Sequence, residues 1–110
     1  MIRFGRWIVP FALIFSVALA YADSDSQQKK IAIKNLKYDP AKLTVKTGET
    51  VLWTNSDDND HTVISDDEGR FESGNLGRGD TFKHTFEKAG KFAYHCKYHP
   101  RMKGVVVVSD

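Results

Sequence analysis

The sequence predicts an all-β fold, a Greek-key β-sandwich of seven or eight short strands, with an open barrel as the competing architecture. Three observations lead there. Beyond the first 22 residues, no window of useful length carries apolar residues at helical spacing. Short runs instead alternate apolar and polar residues, as half-buried strands do. Turn-forming residues punctuate those runs at short intervals.

The elements follow in order. Ile31 and Ile33 alternate with polar neighbours, and Leu43 and Val45 do the same before a turn at Thr47–Glu49. Thr50–Asn55, TVLWTN, places Val51, Trp53 and Asn55 on one face. A polar loop leads into His61–Ser65, HTVIS. Residues 66–80 are rich in glycine and poor in apolar side chains. They read as a long connection between sheets, with a short strand or turn near Phe71. Thr81–Phe86 alternates cleanly. Lys88–Gly90 turns the chain into Lys91–Cys96, KFAYHC. Gly104–Ser109, GVVVVS, suits a strand buried on both faces or at a sheet corner.

Residues 1–22 read as a signal peptide. Arg3 and Arg6 precede an uncharged apolar run, and the stretch ends in small residues, ALAYA. The competing reading is a membrane anchor. The run from Trp7 to Ala22 has 16 residues, fewer than the roughly 20 a spanning helix needs, and Pro10 interrupts it. Export places the protein in the periplasm. Residues 23–29 form a polar, flexible leader, and residues 30–110 form one domain. The chain has 16 basic and 14 acidic side chains. The signal holds two of the basic ones, so the remainder is formally neutral. No basic stripe with interleaved aromatics is present, which argues against a nucleic-acid partner. The mature protein is expected to be a monomer with no stable membrane insertion.

Cysteine usage narrows the chemistry. The chain has a single Cys, which cannot form an internal disulfide. A lone thiol exported to an oxidising compartment is a hazard unless something occupies it. The surrounding stretch is YHCKYHPRM, Tyr94–Met102. In the strand before it, Phe92, Tyr94 and Cys96 share one parity and His95 the other. An inward Phe92 therefore carries Cys96 inward and turns His95 out, away from the thiol. His99 and Met102 follow Cys96 at intervals of three, so a tight loop can fold all three onto one point. His61 shares the parity of Val63 and reaches the core edge at the end of its run. Thiolate and thioether are soft donors that favour Cu(I), and imidazole suits copper in either state. Two His, one Cys and a weak axial Met form the electron-transfer copper arrangement. Structural zinc sites have little use for a thioether. Haem attachment would need a C-x-x-C-H run, which is absent.

YHCKYHPRMKGVVVV resembles the C-terminal ligand loop of the cupredoxins, the small type 1 blue copper proteins. Within the amicyanin, pseudoazurin and plastocyanin group that the chain resembles, its C-x₂-H-x₂-M spacing is closest to amicyanin, whose loop is shorter than that of plastocyanin. LTVKTGETVLWTNSDDNDHTV, Leu43–Val63, is similar to the family's first ligand region, and FEKAGKFAYHC, Phe86–Cys96, to the strand that delivers the Cys. The resemblance implies a cupredoxin-like sandwich holding one copper ion on His61, Cys96, His99 and Met102. It implies one-electron transfer between transient redox partners rather than enzymatic turnover. It further implies that Asn55 hydrogen-bonds the ligand loop and holds the two ligand segments together. Lys97 stands where the family often carries a small hydroxyl residue, Tyr98 where amicyanin carries Pro, and Arg101 where it carries an aromatic.

Several neighbouring features have plainer readings. His84, flanked by Phe82 and Phe86 on its own parity, reads as a partly buried, hydrogen-bonded neutral imidazole. His95 reads as non-ligating. The acidic run from Asp57 to Asp67 reads as a solvated loop. Lys97, Arg101 and Lys103 would steer an acidic partner toward Tyr98 and Pro100 around the exposed edge of His99. A copper delivery, storage or resistance protein is the alternative function. A copper enzyme is excluded because additional copper centres would need more than the four histidines present.

Overall fold

The computed structural model describes residues 28–110. The expected signal peptide and the leader as far as residue 27 lie outside the described residues. The described chain forms eight strands: β1 Gln28–Lys34, β2 Lys37–Asp39, β3 Lys42–Lys46, β4 Thr50–Asn55, β5 Ile64–Ser65, β6 Thr81–Thr85, β7 Gly90–His95 and β8 Lys103–Ser109. They build two four-stranded sheets, in the orders β2-β1-β4-β6 and β3-β8-β7-β5. No helix interrupts them among the described residues.

Each sheet contains one parallel pair, β1 with β4 and β3 with β8. The connections explain why. The turn at Thr47–Glu49 carries the chain from β3 in one sheet to β4 in the other. The segments after β4, β5 and β6 also switch sheets. Strands that become neighbours after such crossings can point the same way. Only β1–β2 and β7–β8 are sequential hairpins within a sheet, and β7–β8 is closed by the segment that carries Cys96, His99 and Met102.

The core sits where the alternating faces meet. Ile31 and Ile33 of β1, Val51 and Trp53 of β4, and Val106 and Val108 of β8 are all buried. Trp53 lies at the centre. Its ring is 5.4 Å from Tyr94 at 87°, 5.6 Å from Phe82 and 6.2 Å from Phe71. Burying an indole of this size stabilises the fold by about 4–6 kcal/mol relative to exposure. Among the described residues no helix is long and apolar enough to cross a membrane.

Three elements differ from the sequence reading. β8 is not buried on both faces. Val106 and Val108 are inside, while Val105 and Val107 are only half-buried, because one face of its sheet looks to solvent. The run His61–Ser65 forms only the two-residue β5. His61, Thr62 and Val63 are all buried instead of alternating. There the 66–80 connection returns and makes isolated bridges, His61 to Leu76 and Ile64 to Glu72, so the segment runs beside another stretch of chain and not along a solvent edge. β2 has no counterpart in the sequence reading. Its single inward residue is Tyr38, and one apolar residue shows no period.

Candidate metal centre

The ligand-type residues come from two segments at one end of the sandwich. His61 follows the loop that leaves β4 at Asn55. Its backbone exchanges two hydrogen bonds with Leu76, at 3.0 and 2.8 Å, and its side chain is fully buried. Cys96 follows β7. Along that strand Tyr94 and then Cys96 are buried and His95 is half-exposed, as parity requires, whereas Phe92 is only partly buried. The segment after Cys96 closes on itself. The Met102 N–H donates to the His99 carbonyl at 2.8 Å, and the Cys96 N–H to the Met102 carbonyl at 3.1 Å. Those two bonds fold residues three apart back toward one point.

The result is a cluster. Nδ1 of His61 lies 3.8 Å from Sγ of Cys96. One donor atom each from His61, Cys96 and His99 falls within 4.8 Å of the others. The two imidazole rings stand 4.9 Å apart at 79°. A separation near 3.8 Å is what two donors sharing one ion by bonds of about 2.0–2.3 Å require. Met102 is buried like Cys96, and its carbonyl accepts the Cys96 N–H at 3.1 Å, which brings its segment next to the thiol. Two imidazoles, a buried thiol and a neighbouring thioether match a single copper ion better than structural zinc.

The surroundings fix these donors. The hydroxyl of Thr62 accepts the Lys97 backbone N–H at 2.9 Å, and the Thr62 carbonyl accepts the Tyr38 hydroxyl at 2.6 Å. Burial first, then the neighbouring Cys96 thiol and Tyr94, push the Tyr38 phenol far above its ordinary value. It therefore stands as a neutral donor beside the thiol. Asn55 is fully buried and makes three bonds. Its amide N–H₂ donates to the carbonyls of Asn59 at 2.9 Å and Leu76 at 2.8 Å, and its Oδ1 accepts the Asp57 N–H at 2.9 Å.

This corrects the expectation for Asn55. It ties the loop before His61 to the returning 66–80 connection, not to the Cys96–Met102 loop. Thr62 makes the bridge between the ligand segments. Because that bridge ends on a backbone N–H, a lysine side chain at position 97 leaves it intact.

Asp57 is a second correction. It does not behave as part of a solvated acidic loop. Its Oδ2 sits 2.9 Å from Nε2 of His61. Burial opposes its ionisation, but bonds from the Leu36 backbone, the His61 ring and the Asn35 backbone outweigh that and hold its carboxyl below the usual range. Sequence reasoning missed both Thr62 and Asp57. The only signals available were a hydroxyl directly after His61 and a carboxylate four residues before it.

The remaining histidines stand elsewhere. His95 turns away from the thiol, and its Nδ1 meets Asp66 Oδ1 at 2.6 Å. His84 lies on β6, 4.8 Å from the Phe71 ring and 4.7 Å from Phe86. Around His99, Tyr98 is exposed, and its hydroxyl donates to Asn75 Oδ1 at 2.7 Å.

Two facing four-stranded sheets with a His–Cys–His cluster at one end define a small copper-type β-sandwich. The chain belongs to the cupredoxin family: the cupredoxin-like domain profile matches residues 7–108. It is 32% identical over 96 residues to the amicyanin of Paracoccus versutus, covering 82% of this chain and 71% of that protein. A purple cupredoxin from Nitrosopumilus maritimus superimposes with a TM-score of 0.70 at 36% identity, covering 74% of this chain and 99% of that one. A reduced tryptophan-to-tyrosine variant of amicyanin gives 0.71 at 30% identity, covering 76% of this chain and 83% of that one.

Proposed function

We propose that the protein is a periplasmic one-electron carrier with a single copper ion held by His61, Cys96, His99 and Met102. The observation that carries this reading is the approach of His61, Cys96 and His99 donor atoms to within 4.8 Å from segments 35 residues apart. Bound copper supplies the Cu(I)/Cu(II) couple. The chain supplies the rest. The Cys96 thiolate would be the strong donor, the imidazoles of His61 and His99 would supply the nitrogens, and the Met102 thioether would add a weak contact that tunes the potential. Donors fixed by backbone bonds move little when the charge changes, which keeps reorganisation small.

His99 is the half-buried ligand and offers its ring edge as the electron port. Tyr98, Pro100 and Arg101 flank it in the loop as a docking patch, and transient redox interfaces are small. Lys97, Arg101 and Lys103 steer an acidic partner in a salt-dependent way. The mature domain works as a monomer, without nucleic acid and without catalysing turnover. Its organisation is a cleaved signal at 1–22 and a leader that ends before Gln28; the domain, expected from residue 30, begins two residues earlier because Gln28 and Lys29 already pair with β4. Burial favours a carrier over a delivery protein, because His61, Cys96 and Met102 are inaccessible to an acceptor's thiols.

The test is copper addition to the purified mature protein, followed by visible absorption, electron spin resonance and voltammetry. An intense thiolate charge-transfer band, lost in Cys96→Ser, and a reversible one-electron wave are expected. A colourless protein that takes zinc equally well would overturn the assignment. Surrender of copper to a weak Cu(I) chelator would favour delivery instead.

A further inference from the structure

The two imidazoles of the cluster are not held alike. His99 is half-buried at the surface. His61 is fully buried, and its second ring nitrogen faces a carboxylate. Because Nδ1 points to the Cys96 sulfur, Nε2 is the atom left for Asp57, at 2.9 Å. A carboxylate accepts there, so Nε2 carries the proton and the Nδ1 lone pair stays free.

Asp57 is itself held from two sides. Its Oδ1 accepts the Asn35 N–H at 2.7 Å and its Oδ2 the Leu36 N–H at 2.9 Å, while its own N–H donates to Asn55. Asn35 and Leu36 form the two-residue turn between β1 and β2, and both are left-handed, with φ of 54° and 60°. Such turns favour Asn-Gly. A leucine at the second position costs about 1–2 kcal/mol. That strained turn aims two successive amides at one carboxylate. Among the described residues the only ion-pair partner of Asp57 is His61, so no lysine or arginine neutralises the charge before it reaches the ring.

We propose that Asp57 is the positioning residue of the metal centre: through His61 it fixes the ligating tautomer and biases the site toward Cu(II). The inference rests on the copper reading above. A ring that donates to a carboxylate is a stronger donor, and a fixed negative charge close to the ion favours the more positive oxidation state. The bound charge therefore lowers the reduction potential and tightens Cu(II) more than Cu(I).

Two variants separate charge from hydrogen bond. Asp57→Asn keeps an acceptor oxygen and removes the charge. Asp57→Leu removes both. In Asp57→Asn the ratio of Cu(II) to Cu(I) affinity should fall about tenfold, a rise of about 59 mV for one electron, with the thiolate band retained. In Asp57→Leu, metal affinity should fall about 10–100-fold. The metal-free protein, read by nitrogen-15 NMR of the ring, should change from the Nε2–H form of His61 to a mixture of tautomers.

Lost stability with an unmoved potential in Asp57→Asn would overturn the proposal. So would an Nδ1–H His61 in the metal-free parent protein. Should Asp57→Leu fail to fold, Asp57→Asn carries the test. Failure of the parent protein to form a thiolate–copper band sinks the copper reading itself. The tautomer measurement, made without metal, still judges Asp57's hold on the ring.

Discussion

The Thr62 hydroxyl accepts the backbone N–H of Lys97 at 2.9 Å, across 35 positions of sequence. This bond joins the residue after His61 to the residue after Cys96. It ties the two ligand segments together through the Lys97 backbone. Thr62→Val keeps the shape and removes the acceptor, leaving a partly buried N–H unpaired. The expected cost is about 1–3 kcal/mol, read by urea unfolding of the metal-free protein. Copper affinity should fall about 10–100-fold in competition with a chelator, and Thr62→Ser should restore most of both.

Asn55→Ala deletes three bonds at once and leaves the carbonyls of Asn59 and Leu76 and the N–H of Asp57 to find other partners. At about 1 kcal/mol of net contribution per bond, a loss of about 3 kcal/mol is expected. Copper should recover part of it, because any ligand bound only by the folded state adds stability that grows with its excess over Kd. Thermal unfolding with and without copper measures both quantities. Equal melting shifts for the parent and Asn55→Ala on copper loading would show that Asn55 does not preorganise the His61 loop.

Gly104 sets the fit between β7 and β8. It pairs with Tyr94 across the strands. A Cβ added at position 104 would lie 2.4 Å from both Cζ and the hydroxyl of that fully buried ring. Gly104→Ala should therefore cost about 3 kcal/mol, the upper range of overpacking. Tyr94→Phe should cost about 1 kcal/mol or less. The Tyr94 hydroxyl has no hydrogen-bond partner among the described residues, and burial pushes it up to about 12. The double variant should remain destabilised, since the ring carbon stays in the way. Urea midpoints of the three proteins decide it.

The cluster was partly legible because its donors declare themselves chemically. Cys96, His99 and Met102 lie in one loop, and strand parity alone turns Cys96 in and His95 out. Trp53 was legible as core from alternation in β4. What the sequence hid depends on distant partners. Asp57 looks like any acid in a polar run until the β1–β2 turn points two amides at it. Thr62 looks like an ordinary strand residue until the chain returns beside it at Leu76 and Lys97. The parallel pairs were hidden for the same reason, because alternation reports which face a residue takes and not which way its neighbour runs. β2 was hidden because a three-residue strand with one inward side chain, Tyr38, has no period to read.

His84 gives the domain a pH dependence separate from the metal centre. Its ring packs against Phe71 and Phe86 in a pocket it shares with Arg70, Glu87 and Lys88. Burial lowers its pKa below the ordinary 6.5. The folded state therefore resists protonation that the unfolded state accepts. Between the two values the unfolded chain binds more protons, so stability rises with pH there. The contribution of His84 is complete above about pH 6.5 and is lost as pH falls through the lower folded value. The ring is only half-buried, so solvent screens the effect and the slope is shallow. His84→Phe keeps an aromatic ring and removes the titration. Unfolding midpoints of metal-free parent and variant, measured at steps from pH 7.5 downward, should diverge below pH 6.5, with the variant falling less steeply. Parallel curves would show that the imidazole at position 84 is as well solvated folded as unfolded.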